Sequence, residues 1–241
     1  MALLIDADNA PASSIDAILN ELSTFGETSI RRAYGNWKKS ELRGWEEILH
    51  EHAIRPMQQF DYSKGKNASD MAMVIDALDL LYTDSPDAFG IVSSDADFTP
   101  LVMHLRAKGA AVYGFGLRKT PEPFVNACSR FLFLDKLGSP ATEPEEAGDA
   151  PQAKLRATTA QLKQDTRLVM LLRNAVAAAA DDEGWARVGA VGHQIANQAS
   201  FDPRNYGYAT LTKLLVATQL FDIADEGKST VVVRDKRLKK T

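Results

Sequence analysis

The chain has 241 residues, 45% hydrophobic and 25% charged, which suits a globular protein of one large domain or two modest ones. No apolar run approaches the ~20 residues needed to cross a bilayer, and Leu3-Leu4-Ile5-Asp6 is not a basic-then-apolar leader, so neither membrane insertion nor export is expected. The single cysteine, Cys128, leaves no intrachain disulfide and points to a reducing cytoplasm, and its setting in Phe124-Val-Asn-Ala-Cys128 suits a small buried hydrophobe. The net charge of −4 conceals a split. Residues 151–241 carry 14 Lys and Arg against 9 Asp and Glu, a net of +5, which leaves −9 for residues 1–150. Such asymmetry suggests different tasks for the two halves.

In chain order, strands are expected over 2–6, 28–34, 54–60, 89–93, 110–115 and 131–134. Amphipathic helices alternate with them. Their buried faces are read as Ile15, Ile18, Leu19 and Leu22; Leu42, Trp45, Ile48 and Leu49; Met71, Val74, Ile75 and Leu78; and Leu101, Val102 and Leu105. Strand–helix alternation predicts an α/β domain: a mostly parallel, Rossmann-like sheet with helices on both faces and its ligand site beyond the carboxyl ends of the strands. The stretch 138–151, rich in Pro, Gly, Ala and acid, marks a flexible linker, drawn here over 138–162. Helices over 165–180, 188–199 and 208–218 follow, then β-like runs at 220–224 and 230–234. Three helices and a hairpin predict a small C-terminal winged-helix domain over 163–241.

Carboxylates fall where such a sheet holds its ligand. The first strand ends Leu-Ile-Asp6-Ala-Asp8-Asn9. The fourth ends Ile-Val-Ser-Ser94-Asp95-Ala-Asp97-Phe-Thr99-Pro100. The third helix opens Lys64-Gly-Lys66-Asn-Ala-Ser69-Asp70. Converging carboxylates need a cation to stay ionised together, and hard oxygen ligands suit Mg2+ or Mn2+. Helix capping offers another reading for Asp8, Ser13, Ser69-Asp70 and Thr99-Pro100. Asp76 lies about 240° around the helix from Asp70, so one face cannot present both, and Asp76 is at most a supporting residue.

Ile-Asp6-Ala-Asp-Asn9, Lys66-Asn-Ala-Ser-Asp70-Met-Ala-Met-Val-Ile-Asp76 and Val-Ser-Ser94-Asp95-Ala-Asp97-Phe-Thr99-Pro-Leu-Val together resemble the motifs of NYN domains, the LabA-like branch of the PIN-like nuclease superfamily, over residues 2–137. The resemblance implies a metal-dependent ribonuclease with Asp6, Asp70, Asp95 and Asp97 in the acidic, metal-holding site and Asn9 supporting it. Ser94 stands where many relatives have Gly. Lys64 and Lys66 are candidates to meet phosphate, or else belong to a solvated loop. The stretch Arg31-Arg32-Ala-Tyr34-Gly-Asn-Trp37-Lys38-Lys39, placed after the second strand on the same edge, has arginines for phosphate and an aromatic, Trp37, for stacking on single-stranded RNA.

In the basic half, Gly184-Trp185-Ala-Arg-Val-Gly189-Ala-Val-Gly192 and Phe201-Asp-Pro203-Arg204-Asn205-Tyr206-Gly207-Tyr208 resemble the OST-HTH, or LOTUS, domain over roughly 163–236. That resemblance implies a winged helix binding RNA or, in some relatives, a protein partner. Arg204, Tyr206, Tyr208 and Lys213 are the candidate RNA contacts, and Arg234, Lys236, Arg237, Lys239 and Lys240 add sequence-independent attraction. Two other readings stay open: an RNA-binding adaptor that does not cut, and an aspartyl phosphatase using Asp6-Ala-Asp8. Dinucleotide binding fails because Gly114-Phe-Gly116 lacks its third glycine and follows the fifth strand. Zinc hydrolysis fails because His50 and His52 do not share a helix face.

Overall fold

The structure, a computed structural model, describes residues 1–60, 67–137, 156–227 and 230–238. By contacts the chain divides into two compact units, Met1–Gly138 and Ser139–Thr241, each taken by itself below.

The first unit is built on six strands: β1 (Ala2–Asp6), β2 (Ile30–Gly35), β3 (Arg55–Gln58), β4 (Ala88–Val92), β5 (Ala111–Gly116) and β6 (Arg130–Phe133). Every pair is parallel and the order is β3-β2-β1-β4-β5-β6. A sheet of this kind is covered on both faces, so its central strands are apolar throughout rather than alternating. All five residues of β1 and all five of β4 are buried accordingly. Ala2 and Leu4 face one core with α3 (Ala68–Thr83), α4 (Thr99–Ala107) and α5 (Glu122–Ala127). Leu3 and Ile5 face the opposite core with α1 (Ile15–Ser23) and α2 (Arg43–Leu49).

α3 does not bury Met71, Val74, Ile75 and Leu78 as its main face; it buries Met73, Ala77, Leu80 and Leu81, and leaves Met71 and Ile75 largely exposed. The helix is apolar almost all the way round, so periodicity cannot choose the inward side. Cys128 is buried, and burial pushes its thiol up to about 12, as a packing residue rather than a nucleophile requires.

The second unit comprises α6 (Thr159–Gln164), α7 (Thr166–Ala179), β7 (Ala186–Arg187), α8 (Val188–Gln198), α9 (Leu211–Thr218), β8 (Phe221–Ala224) and β9 (Val232–Asp235). Its wing is an antiparallel sheet in the order β7-β9-β8, one strand more than the expected hairpin. α6 straddles the boundary drawn at 162, its first four residues falling in the range read as linker. Thr158 and Gln161 form a reciprocal capping box at its start, and Leu162 is buried in the unit's core. The rest of the expected linker, 138–155, lies outside the described residues.

Candidate active site

β1 and β4 are hydrogen-bonded neighbours, with β2 and β3 on one side and β5 and β6 on the other. Strand order therefore reverses between them, and it is beyond the carboxyl ends of the strands at such a point that open parallel sheets bind their ligands. Asp6 ends β1 at that point and is only 1% exposed. Its Oδ2 accepts from Ser93 Oγ at 2.8 Å and from Asn9 Nδ2 at 3.0 Å. Its Oδ1 is buried and has no hydrogen-bond partner. Burial raises the Asp6 pKa above the usual carboxylate range, while those two side-chain hydrogen bonds pull it the other way.

The segment after β4 is shaped by its own polar side chains. Ser93 Oγ accepts from the Asp95 backbone N–H at 3.0 Å, and Asp95 Oδ1 caps the short 3-10 turn Ala96–Phe98 by accepting from Asp97 N at 2.9 Å. Thr99 Oγ1 donates to Ala96 O at 2.6 Å. Ser94 Oγ accepts from Leu117 N at 2.8 Å, tying the exit of β4 to the exit of β5. Ser94 and Thr99 thus shape the loop. Gly116 leaves room for it: a Cβ there would stand 2.6 Å from Ser93 O.

α3 supplies Asp70 in its first turn. The residue preceding the helix is Asn67, and no side chain caps it there, so capping does not occupy Asp70. Its pKa is raised to about 6, first by burial and then by the negative charges of Asp6, Asp95, Asp8 and Asp97. Those causes are a statement of geometry: five aspartates from three segments share one neighbourhood. Asp8 was not among the expected acidic-site residues, and it caps no helix. Its Oδ1 pairs with Lys39 Nζ at 3.2 Å and its Oδ2 accepts from Ser69 Oγ at 3.1 Å, joining the β1 exit, the β2 exit and the start of α3. Asn67 Nδ2 reaches Asp97 Oδ2 at 3.4 Å.

Every donor here is a hard carboxylate oxygen, and Asp6 Oδ1 is a buried anionic atom lacking a proton donor. Both features fit a hard divalent cation. Among the described residues no three His, Cys, Asp or Glu side chains stand close enough to hold a metal ion as placed.

The raised Asp70 pKa has a consequence for stability. A carboxyl with higher proton affinity in the folded chain takes up a proton on folding. Its penalty is absent at low pH and grows as pH rises from about 4, its unfolded value, towards about 6. Asp70→Asn is therefore expected to melt progressively higher than the unaltered protein across that window in metal-free buffer. A constant difference from pH 4 to 7, read by thermal unfolding, would refute the assignment.

Several expected site residues are placed elsewhere. Asp76, on α3, accepts from Arg32 and from the buried Tyr34 hydroxyl on β2 and does not join the acids. Arg31 and Arg32 lie within β2 rather than after it. Arg32 is held by Asp76, and Arg31 donates to the carbonyls of Thr28 and His52. Trp37 does lie at the carboxyl edge but packs against the α1–α2 core. Lys64 and Lys66 lie outside the described residues. In the second unit, Tyr208 is a core residue whose hydroxyl donates to Ala157 O at 2.7 Å. Arg204 is held by the buried Asp202 carboxylate through Nε at 2.9 Å and Nη2 at 2.8 Å. Tyr206 packs beside Phe201, its hydroxyl 3.4 Å from Asp165 Oδ2. Lys213, on α9, remains on the surface. These aromatic and basic types were expected at an RNA surface, but within Asp202-Pro-Arg-Asn-Tyr-Gly-Tyr208 they build the turn.

A parallel 3-2-1-4-5-6 sheet with acids gathered at its switch point is the architecture of a PIN-like domain, and PIN-like domains are generally nuclease-like and use divalent metals. The chain belongs to the NYN domain family, which it matches over residues 1–135, and residues 162–233 match the OST-HTH/LOTUS domain, which implies RNA binding. A 120-residue stretch is 31% identical to an uncharacterized protein of Methanocaldococcus jannaschii, covering 48% of this chain and 47% of that one. The chain thus spans about half the length of the curated relative it matches. Among solved structures, it is similar to a protein of unknown function from Vibrio parahaemolyticus, with 20% identity, 55% of this chain and 90% of that one covered, and a TM-score of 0.45. An uncharacterized protein of Nitrosomonas europaea gives 27% identity, 42% and 92% coverage and a TM-score of 0.28. Among the described residues, no helix is long and apolar enough to cross a membrane.

Proposed function

We propose that the chain is a cytoplasmic ribonuclease that hydrolyses phosphodiester bonds of single-stranded RNA. Asp6, Asp70, Asp95 and Asp97 hold Mg2+ or Mn2+, and the C-terminal module, residues 163–241, retains the RNA. The observation that carries this reading is the buried Asp6 carboxylate, with one oxygen fixed by Ser93 and Asn9 and the other unpartnered, at a switch point shared with four more acids. A bound divalent cation supplies positive charge to the phosphoryl oxygens and a more acidic water. The protein orients the acids: Ser93 and Asn9 fix Asp6, and the Asp97 N–H fixes Asp95. Asp70 enters the group from the first turn of α3, and its pKa in the metal-free chain, raised to about 6 by burial and by the neighbouring acids, is one that a bound cation would bring down again. The net charge of +5 over residues 151–241 and the exposed Lys213 support RNA retention there.

A second reading, an adaptor that binds RNA without cutting it, is favoured by the absence of three already converged carboxylates among the described residues. Incubating the purified chain with labelled single-stranded RNA separates the two. Cleavage in Mn2+ or Mg2+ that EDTA stops is the expected result, and binding with no cleavage in either metal would establish the adaptor.

A further inference from the structure

The exits of β2 and β3 meet at the same carboxyl edge as the acids. Gln58, the last residue of β3, fastens them together. Its Oε1 accepts from Trp37 N at 3.0 Å, and its Nε2 donates to Asn36 Oδ1 and to Gln59 O, each at 3.0 Å. Gln59 N donates to Gly35 O at 3.0 Å, carrying the strand pairing one step past β3. On this braced frame Phe60 is 44% exposed, with Lys38 Nζ 4.9 Å from the centre of its ring. A phenylalanine has no polar atom to satisfy in water, and among the described residues the ring belongs to neither core of this unit. The ammonium stands over one face of the ring, and the apolar surface left exposed, at the carboxyl edge that carries the acids, suits a base with its phosphate.

We propose that Phe60 and Lys38 form a subsite for one nucleotide of single-stranded RNA, the base stacking on the ring and its phosphate meeting the ammonium. This rests on the ribonuclease reading and adds to it the position where the strand is gripped. β3 lies two strands from β1, about 10 Å across the sheet, so the stacked base is roughly one or two nucleotides from the phosphate over Asp6. The subsite also explains a choice of strand, because in a duplex both faces of every base are already stacked and the ring has nothing to cover. Trp37, the aromatic that the sequence put forward for this task, instead gives its backbone N–H to the brace and its ring to the core.

Two measurements on the full-length chain test the subsite. In steady-state cleavage of a single-stranded RNA decamer, Phe60→Ala is expected to raise KM by roughly 5- to 100-fold, the range of one lost stacking contact, with kcat changed less than about twofold. Phe60→Trp is expected to restore KM. In an Asp95→Asn background, which keeps the RNA uncut, decamers carrying a single 2-aminopurine report stacking directly. Quenching on binding is expected at one position and is expected to vanish with Phe60→Ala. Unchanged KM together with unchanged quenching in Phe60→Ala would overturn the subsite while cleavage itself continues. If the unaltered chain cuts no RNA, the ribonuclease reading falls, and the 2-aminopurine signal still decides whether the ring holds a base.

Discussion

Asp6→Asn is expected to lower the rate of RNA cleavage by at least about 10^3-fold while raising the melting temperature of the metal-free protein. The two effects have one cause. Asp6 is 1% exposed, and burial is the largest influence on its raised pKa, so the fold disfavours the charged form of this carboxyl relative to water. Asparagine has the same shape. Its carbonyl can accept from Ser93 and Asn9 as Oδ2 does now, and its amide would take the position where Oδ1 has no partner. What is lost is the charge that, on the proposed function, anchors a cation, and electrostatic stabilisation worth several kcal/mol corresponds to a rate factor on the order of 10^3 or more. The gain in melting temperature is expected to shrink as pH falls, because Asp6 then becomes neutral as well. Cleavage assays and thermal unfolding with and without Mg2+ check both halves. Retained activity would remove Asp6 from the chemistry, and a lower melting temperature would contradict the account of its burial.

The second large effect concerns stability. Asp76→Ala is expected to destabilise the N-terminal unit by roughly 2–4 kcal/mol, since it leaves a mostly buried guanidinium and a buried phenol without their acceptor. Arg32 and Asp76 side chains are 20% and 15% exposed, which places the loss below that of a fully buried pair. Tyr34 is 1% exposed and sits beneath α3, so no rearrangement brings water to its hydroxyl cheaply. Asp76→Asn, which keeps an acceptor for Tyr34, is expected to lose less. Urea unfolding followed by tryptophan fluorescence measures this, and the transition of the C-terminal unit should stay in place because none of the three residues belongs to it. A change below about 1 kcal/mol for Asp76→Ala would show that the pair adds little beyond its own desolvation.

Much of this architecture is legible in the chain itself. Apolar runs of strand length ending in aspartate located β1 and the centre of the sheet, because a parallel strand covered on both faces must be apolar until it leaves the core. The acids after β1 and β4 follow from that alone. Asp70 is different: its sequence position allows capping equally well, and only the packing of α3 against the sheet separates the two. The same helix misled the choice of buried face, since Met71 and Met73 are equally apolar. Ser93 could have been found by asking what surrounds a buried strand-end carboxylate, which needs donors for its oxygens, and Asp8 by its place two residues beyond Asp6 at the exit of β1. Arginines and tyrosines were the least legible residues. Arg32, Arg204 and Tyr208 have the chemistry of RNA contacts, and what directs them inward is a partner many residues away, Asp76 or Ala157, or a tight turn beginning at Asp202.

The hydrogen bond between Ser93 and Asp6 joins residues 87 positions apart. β1 is made first, yet its place at the centre of the sheet exists only once β4 is available to lie beside it. Pairings this distant in the chain close slowly, because the loop entropy is lost before any contact compensates for it. The gathering of the acids is therefore expected to be a late event in folding, once β4 has paired with β1. A nascent or truncated chain that stops short of β4 has Asp6, Asp8 and Asp70 but no switch point to gather them at, and it is expected to be inert towards RNA however long it persists.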